Sequence, residues 1–264
     1  MRAAPYLITS LNAMPGADRW VRTAQAALGD AVQPVIIMWE PYFEVSARFL
    51  VRRMGRPYPG HMAKLLPLLE MDLDRDRWFL FTDGADVAFQ APLPDLDASG
   101  RSVLLANEGV THGESAFWRP HLELSLYAGL KDRPIYNVGT WAAIGDAFVD
   151  FLRYLAAARD LCRRRGWPLV DVHEQLIYNL WVQAAGGACG EMDTLFCSLY
   201  ANVTGPRMDG RGAAALAGGH FVNPRGEPYV VVHGNGSTKA LLDAHLPPAG
   251  TPAPADPCAL RTGE

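Results

Sequence analysis

Short apolar segments alternate with helical patterns in the first half of the chain, and this alternation limits the fold more than any other feature. Four segments are apolar at most positions, as strands buried on both faces of a sheet are: Pro5–Leu11, Gln33–Trp39, Trp78–Thr82 and Ser102–Ala106. Helical spacing separates them, over Trp20–Leu28, about Tyr42–Met54 and about His61–Leu73. Strands that alternate with helices predict an α/β fold with a mostly parallel sheet covered on both sides.

The second half is less regular but continues as one globular unit. Its spacing predicts helices over Asp146–Arg165 and Asp171–Ala185, and a final helix that Ser237 caps and that reaches about His245. A strand at Leu195–Tyr200 and a hairpin of His220–Val222 with Tyr229–Val232 complete the predicted elements. We expect 1–246 to form a single domain and the proline-rich residues 247–264 to be a disordered tail.

The composition excludes several classes of function. The chain carries 24 Lys and Arg against 28 Asp and Glu, a net charge of −4, so no basic field attracts nucleic acid or anionic lipid. No segment approaches the roughly 20 apolar residues that span a bilayer, and the N-terminal segment lacks the pattern of a signal peptide. The four cysteines include no C-x-x-C pair. We expect a cytoplasmic protein that binds neither nucleic acid nor membrane.

A pair of aspartates follows the third predicted strand. The segment WFLFTDGADVAF, residues 78–89, runs from an apolar strand into Asp83-Gly84-Ala85-Asp86 and then becomes apolar again. Ligands of open α/β sheets bind at the carboxyl ends of the strands, and hard divalent cations prefer carboxylate oxygens. The pattern makes Asp83 and Asp86 candidate ligands of Mn²⁺ or Mg²⁺. The alternative is that both side chains only cap backbone amides of the turn.

A second polar segment follows the last predicted strand. The sequence YVVVHGNGSTK, residues 229–239, places His233-Gly234-Asn235-Gly236 after an apolar run and Lys239 in the first turn of the next predicted helix. Glycines let backbone amides approach an anion closely, and a helix N-terminus favours negative charge. A neutral histidine can also bind a metal. The pattern favours an anion site beside a metal ligand over a turn-rich connection with a solvated lysine.

Together, the segments FTDGADVAF and VVVHGNGSTK resemble the glycosyltransferase domain of the procollagen lysyl hydroxylases and the related collagen galactosyl- and glucosyltransferases. The resemblance covers roughly Pro5–His245. Weaker matches lie between the two motifs in the family's order: Lys64, Ala106-Asn107-Glu108, Tyr136-Asn137-Val138-Gly139, Glu174-Gln175 and Met192-Asp193. The resemblance implies a GT-A fold, with a Rossmann-like nucleotide half over about 1–108 and a sugar and acceptor half over about 109–246.

The resemblance also implies roles for individual residues. Asp83, Asp86 and His233 would hold Mn²⁺. The donor, which we expect to be a UDP-sugar, would be bound along its length by residues from several segments. The diphosphate would lie at Gly234, Asn235, Gly236 and Lys239, the nucleoside at Thr9 and Ser10, and the sugar at Asn137 and Gly139, with Lys64 also on the donor side.

The chemistry of such a site adds a requirement. Breaking a sugar–phosphate bond develops negative charge on the leaving diphosphate, which a divalent metal and a lysine would stabilise. An inverting enzyme also needs a carboxylate base at the acceptor hydroxyl, whereas a retaining enzyme can function without one. The candidates for this base are Glu108, Asp171 and Glu174. Each has the alternative role of capping a helix or binding sugar hydroxyls.

The sequence departs from the family at Val172-His173-Glu174, where the family has an acidic run, and the 264 residues contain no hydroxylase segment. We therefore expect a hexosyltransferase whose acceptor is a small molecule or a peptide. The segments Gly109–Pro120 and Val203–Gly219 are expected to shape the acceptor pocket, with Trp118 as either a sugar platform or a packed anchor. The alternatives are a nucleotide-sugar hydrolase and a non-catalytic relative that binds nucleotide sugars.

Overall fold

The computed structural model describes residues 2–11, 16–38, 50–53, 65–123, 127–166, 173–199, 201–202, 205–206, 215–234 and 238–246. The strands, in chain order, are β1 (Tyr6–Leu11), β2 (Gln33–Met38), β3 (Leu50–Arg53), β4 (Trp78–Asp83), β5 (Val87–Phe89), β6 (Val103–Thr111), β7 (Pro134–Ile144), β8 (Cys189–Gly190), β9 (Phe196–Leu199), β10 (Ala201–Asn202), β11 (Gly205–Pro206), β12 (Ala215–Ala217), β13 (His220–Val222) and β14 (Val231–Gly234). The α-helices are α1 (Ala17–Ala27), α2 (Gly145–Arg164), α3 (Glu174–Ala185) and α4 (Lys239–His245).

The main sheet has seven strands in the order β3-β2-β1-β4-β7-β6-β8. β3, β2, β1 and β4 run parallel to one another, β7 is antiparallel to both of its neighbours, and β8 is parallel to β6. The predicted α/β class with a mostly parallel sheet is therefore confirmed. Because β7 lies between β4 and β6, the sheet extends across the predicted division of the chain near residue 108.

A smaller sheet lies beside the main one. Its order is β5-β14-β9, with β14 antiparallel to β5 and parallel to β9. β5 follows β4 after a short turn, so the two sheets are connected directly at the carboxyl end of β4. Two further pairs, β10 with β11 and β12 with β13, are antiparallel.

The two faces of the main sheet bury different layers. On one face, aromatic rings of the sheet and of α2 and α3 pack closely, and the Trp141 ring stacks on Phe148 with centroids 4.7 Å apart. On the other face, α1 and the smaller sheet cover Leu7, Leu80 and Leu104. Large apolar side chains that are fully buried stabilise a fold by about 1.5–3 kcal/mol each, so both layers contribute to holding β4 in place.

Several predicted elements differ from the structure. Residues Leu50–Arg53, predicted as helical, form β3 because pairing with β2 outweighs the local preference of Leu and Arg for helix. Within the predicted helix at His61–Leu73, the described part contains a short 3₁₀-helix at Leu66–Glu70. The long strand β7 was not predicted, since its sequence PIYNVGTWAAI includes a glycine and two alanines that weaken a strand pattern.

The predicted hairpin near the C-terminal end is confirmed at its turn and in its first strand, His220–Val222, whereas its second strand begins at Val231 instead of Tyr229. The amide of Tyr229 donates to the carbonyl of Phe221 at 3.0 Å, as a hairpin requires. Beyond that point the strands separate, because β13 pairs with β12 while β14 pairs with β5 and β9. The strands predicted at Pro5–Leu11, Gln33–Trp39, Trp78–Thr82, Ser102–Ala106 and Leu195–Tyr200 are confirmed with small changes in their ends.

The predicted tail at 247–264 lies outside the described residues. Across the described ranges, no helix combines the length and the apolar character that crossing a membrane requires.

Candidate metal centre

Three side chains from distant parts of the chain meet where the two sheets join. Asp83 ends β4, Asp86 lies in the turn before β5, and His233 lies in β14. One ligand atom from each lies within 4.8 Å of the other two. The Nε2 atom of His233 is 3.7 Å from Oδ2 of Asp83 and 3.5 Å from Oδ1 of Asp86. This separation leaves room for one cation between the three groups.

Pairing between strands fixes each of these side chains. Asp83 pairs with Ser10 at the carboxyl end of β1, so the first ligand lies at the edge where ligands of parallel sheets bind. His233 lies in the middle strand of the smaller sheet, opposite Val87 and Ser198. The amide of Gly234 donates to the carbonyl of Asp86 at 2.7 Å. The sheet therefore holds the histidine against the aspartate turn.

Gly139 of β7 lies directly against the ligands. A Cβ atom added at this position would lie 2.3 Å from Oδ2 of Asp83 and 2.7 Å from Cε1 of His233. Both distances are well below van der Waals contact, and the neighbours are side chains held by a sheet. The absence of a side chain at this position is therefore a condition for the two ligands to come together.

The ligand set suits a divalent cation. Two carboxylates and one imidazole offer the oxygen and nitrogen donors that Mn²⁺ and Mg²⁺ accept, while further positions stay open for water or phosphate oxygens. The two aspartate side chains are about one quarter exposed and His233 is 2% exposed, so the cluster is anchored from inside and open on its carboxylate side. Among the described residues, these three side chains are the group of histidine, cysteine or acidic residues whose ligand atoms lie close enough together to hold one metal ion.

A buried hydrogen-bond network adjoins the cluster. The Oε1 atom of Glu108 accepts from Nδ2 of Asn137 at 2.7 Å and from Nε2 of Gln175 at 3.2 Å. Asn137 in turn accepts from the amide of Gly139 at 2.7 Å through its Oδ1 atom. Glu108 is fully buried, and a buried carboxylate is costly unless hydrogen bonds satisfy it. The network connects Glu108 to the strand segment that touches the metal ligands.

Glu174, the second described candidate for a base, begins α3 and is 2% exposed. Its Oε2 atom lies 3.4 Å from Nδ1 of His173. The His173 ring packs edge-on against Trp118, with centroids 4.6 Å apart. Trp118 is buried, so the structure favours the packed-anchor role, whereas the neighbouring Phe117 is 60% exposed.

Lys239 at the start of α4 is paired with Asp243. Its Nζ atom donates to the two carboxylate oxygens of Asp243 at 2.9 and 2.7 Å. Burial alone would raise the pKa of Asp243, but the hydrogen bonds and charges of Lys239 and Arg19 outweigh that effect and hold the pKa below its usual value. The side chain of Lys239 is one third exposed.

The remaining predicted site residues divide into two groups. Ser10 lies beside Asp83 at the sheet edge, while Thr9 is fully buried between neighbouring strands. The predicted residues Lys64, Asp171, Asn235 and Gly236 lie outside the described residues. The sequence analysis did not single out Arg19, which is fully buried beside the turn that carries Asp86, because an arginine in a helix is expected at the surface.

Comparisons with known proteins add no family assignment. No protein-family model matches the chain. No curated protein matches it either.

Proposed function

We propose that this protein is a metal-dependent glycosyltransferase that takes a sugar from a nucleotide-sugar donor. The observation that carries the proposal is the meeting of Asp83, Asp86 and His233 at the carboxyl end of β4. Two of these residues belong to one motif of the resembled family and the third to another motif far along the chain. The motifs define ligands that are remote in sequence, and their proximity in space supports a common site.

Each ligand has a defined task in this proposal. Asp83, Asp86 and His233 hold the cation, which supplies Lewis-acid stabilisation of the leaving diphosphate. Gly234 follows His233 and is buried, and a Cβ atom added there would lie 2.9 Å from Cβ of Leu242, so the glycine lets α4 pack closely against the end of β14. Lys239 brings a positive charge to the same end of β14 and exchanges Asp243 for the diphosphate when the donor binds.

The sugar lies on the side of β7 in this proposal. Asn137 and Gly139 are buried next to the proposed metal ligands, and a side chain at position 139 would clash with Asp83 and His233. Glu108 accepts two amide hydrogen bonds through one oxygen. We assign Glu108 to the positioning of Asn137 rather than to proton abstraction, because a base must reach the acceptor hydroxyl.

The donor is tested with a panel of UDP- and GDP-sugars in the presence of Mn²⁺. We expect one donor to bind in a metal-dependent manner by calorimetry, and transfer to occur when a library of small-molecule and peptide acceptors is added. Release of free sugar at the same rate with and without acceptors would indicate a hydrolase instead. Binding without turnover under any acceptor would indicate a non-catalytic relative, and metal-independent binding or none would contradict the proposal.

A matched pair of variants localises the activity. Asp83→Asn removes a charged ligand while preserving side-chain shape, and we expect turnover to fall by at least about 100-fold, as for lost electrostatic stabilisation in other enzymes. Asp95→Asn is the control, since Asp95 also caps a turn, with its Oδ1 atom accepting from the amide of Asp97 at 3.0 Å. The control should retain its activity. Equal loss in both variants would assign the aspartates to turn structure.

We propose a small-molecule or peptide acceptor for this transferase. Of the two segments predicted to shape the acceptor pocket, Gly109–Pro120 is described, while most of Val203–Gly219 lies outside the described residues. Phe117 is the exposed ring of the first segment and lies 6.3 Å from the ring of His173, beside Glu174. We expect Phe117→Ala to raise the acceptor KM while nucleotide affinity stays unchanged. Truncation of Gly205 to Gly218 should have the same selective effect, and equal loss of nucleotide binding would place these segments in the donor site.

A further inference from the structure

Arg19 is a charged residue enclosed by the protein next to the metal-binding turn. It lies in α1 and is fully buried. Its Nη2 atom donates to the carbonyl of Ala85 at 2.7 Å, and its Nη1 atom donates to the carbonyl of Leu246 at 3.1 Å and to the carboxylate of Asp243. A buried guanidinium is retained at a high cost in desolvation unless its contacts compensate for that cost. The contacts of Arg19 therefore indicate what its charge is used for.

The first contact fixes the turn between two metal ligands. The carbonyl of Ala85 belongs to the peptide that precedes Asp86, so this hydrogen bond fixes the backbone that carries the Asp86 side chain. Gly16 packs against the same carbonyl from another side, since a Cβ atom at Gly16 would lie 1.9 Å from the carbonyl oxygen. At the other end of the turn, Gly234 holds the carbonyl of Asp86. The turn is held at successive carbonyls from two directions.

The second contact reaches the phosphate side of the site. Asp243 accepts from Arg19 and also from Lys239. One carboxylate therefore joins the arginine that holds the metal-binding turn to the lysine assigned to the diphosphate. When Lys239 turns toward a diphosphate, Asp243 keeps the guanidinium of Arg19 as a partner, so no buried charge is left unpaired.

We infer that Arg19 is a positioning residue that ties the metal-binding turn to α4 and thereby sets metal affinity. This inference rests on the proposed function, because it assumes a cation at Asp83, Asp86 and His233. The planar fork of arginine suits the task, since it donates in several directions at once. A lysine at this position has a single nitrogen. It cannot donate to the carbonyl of Ala85 and to the carboxylate of Asp243 from two separate atoms, as the guanidinium does.

The test measures Mn²⁺ affinity by calorimetry in the wild type, in Arg19→Lys and in a matched control, Arg77→Lys. Arg77 is also an arginine that donates to a backbone carbonyl, that of Ala4 at 2.6 Å, and to the side chain of Gln33 at 2.7 Å. It lies just before β4, at the strand end remote from Asp83. The control variant therefore loses the hydrogen bonds of a more exposed arginine at the end of β4 that is remote from Asp83.

We expect Arg19→Lys to raise the Kd for Mn²⁺ about tenfold, the lower range for residues that support metal ligands. Arg77→Lys should lower thermal stability and leave the Kd within twofold of the wild type. The electron paramagnetic resonance spectrum of bound Mn²⁺ should change in Arg19→Lys alone. A folded Arg19→Lys variant with wild-type Kd and spectrum would overturn the inference.

Asp243→Asn is the second variant, for use if Arg19→Lys does not fold. It keeps the contact between Arg19 and Ala85 and removes the charge that ties Arg19 to α4, so the Kd should rise in the same direction by a smaller factor. If both variants are unfolded at 10 °C by circular dichroism, or if folded Asp243→Asn has the wild-type Kd, Arg19 has a structural role only. Failure of the wild type to bind Mn²⁺ would instead contradict the metal site itself.

Discussion

Two groups of acidic side chains lie near the same end of the main sheet and differ in nearly every physical respect. Asp83 and Asp86 are about one quarter exposed and face each other and His233. Glu108 and Glu174 are almost fully enclosed, and one oxygen of Glu108 accepts from two side-chain amides. Sequence alone treats all four as carboxylates that follow a strand or begin a helix.

The difference indicates which carboxylates are available to a ligand. A partly exposed carboxylate keeps its charge at small cost and can exchange water for a cation. A buried carboxylate must be satisfied by the protein in advance, so its hydrogen bonds belong to the scaffold. The aspartate pair should therefore control metal binding with little effect on folding, and Glu108 should control folding with little effect on metal binding.

The largest expected effect is that of Asp86→Ala, which we expect to abolish turnover. The free energy of unfolding of the metal-free protein should change by less than about 1 kcal/mol, because a strand-end carboxylate contributes no core packing. Its removal also relieves the repulsion between two anions within 4.8 Å. Activity assays in chelator-treated buffer with added Mn²⁺, together with urea denaturation, measure both effects. Near-wild-type activity would show that Asp86 is not a metal ligand.

The next effect is that of Gly139→Ala, which acts on the aspartate group from outside it. The new Cβ would lie 2.3 Å from Asp83 and 2.7 Å from His233, so at least one ligand must move. We expect the Kd for Mn²⁺ to rise about 100-fold, the upper range for residues that support metal ligands. Gly129→Ala is the control, because no neighbouring atom lies within 4 Å of a Cβ at Gly129. Equal affinities of the two variants would refute the close packing at Gly139.

A smaller effect is expected at Glu108, and it should fall on folding stability rather than on metal affinity. Glu108→Ala leaves the amides of Asn137 and Gln175 without their acceptor, and each unsatisfied buried donor costs about 1–3 kcal/mol. We expect a loss of about 2–6 kcal/mol in the free energy of unfolding, with the Kd for Mn²⁺ of the folded protein within about threefold of the wild type. Glu108→Gln retains one acceptor oxygen and should recover most of the stability. A Glu108→Gln variant that is stable but inactive would restore Glu108 as a catalytic base.

How far the sequence predicts this molecule depends on whether the relevant signal is local. The strands around WFLFT and the aspartate turn are predictable because an apolar run and its end lie within a dozen residues. The meeting with His233 is predictable only through motifs of the family that the sequence resembles, since nothing local relates positions 83 and 233. β7 has no local signal, because Gly139 and the alanines that the site and the core require weaken the strand pattern.

Arg19 illustrates the other limit. Its helix has Trp20 and Ala24 on the buried face, and an arginine beside them gives no sign that it turns inward. Its burial follows from three acceptors, in the turn at Ala85, in α4 and just after α4, that only the tertiary structure brings together. Likewise, the exposure that distinguishes Asp83 from Glu108 is a property of the packed molecule and not of residue type.

The smallest predicted effect is the pH dependence of folding stability that arises from the buried residue His112. His112 follows Glu108 along the chain just beyond β6, is fully buried, and donates through Nδ1 to the carbonyl of Arg133 at 3.1 Å. Burial lowers the pKa of His112 below 6.5, and the hydrogen bond to Arg133 offsets only part of this effect.

As the pH falls below about 6.5, the unfolded chain therefore binds the proton before the folded protein does. Stability is full above that pH and declines below it, by at most about 1.4 kcal/mol per pH unit for one proton. Urea denaturation of the metal-free protein at pH 7.5, 6.5 and 5.5 measures the decline, and His112→Asn should show a shallower one because its side chain does not titrate. Identical slopes in the two proteins would mean that His112 does not contribute to the acid response.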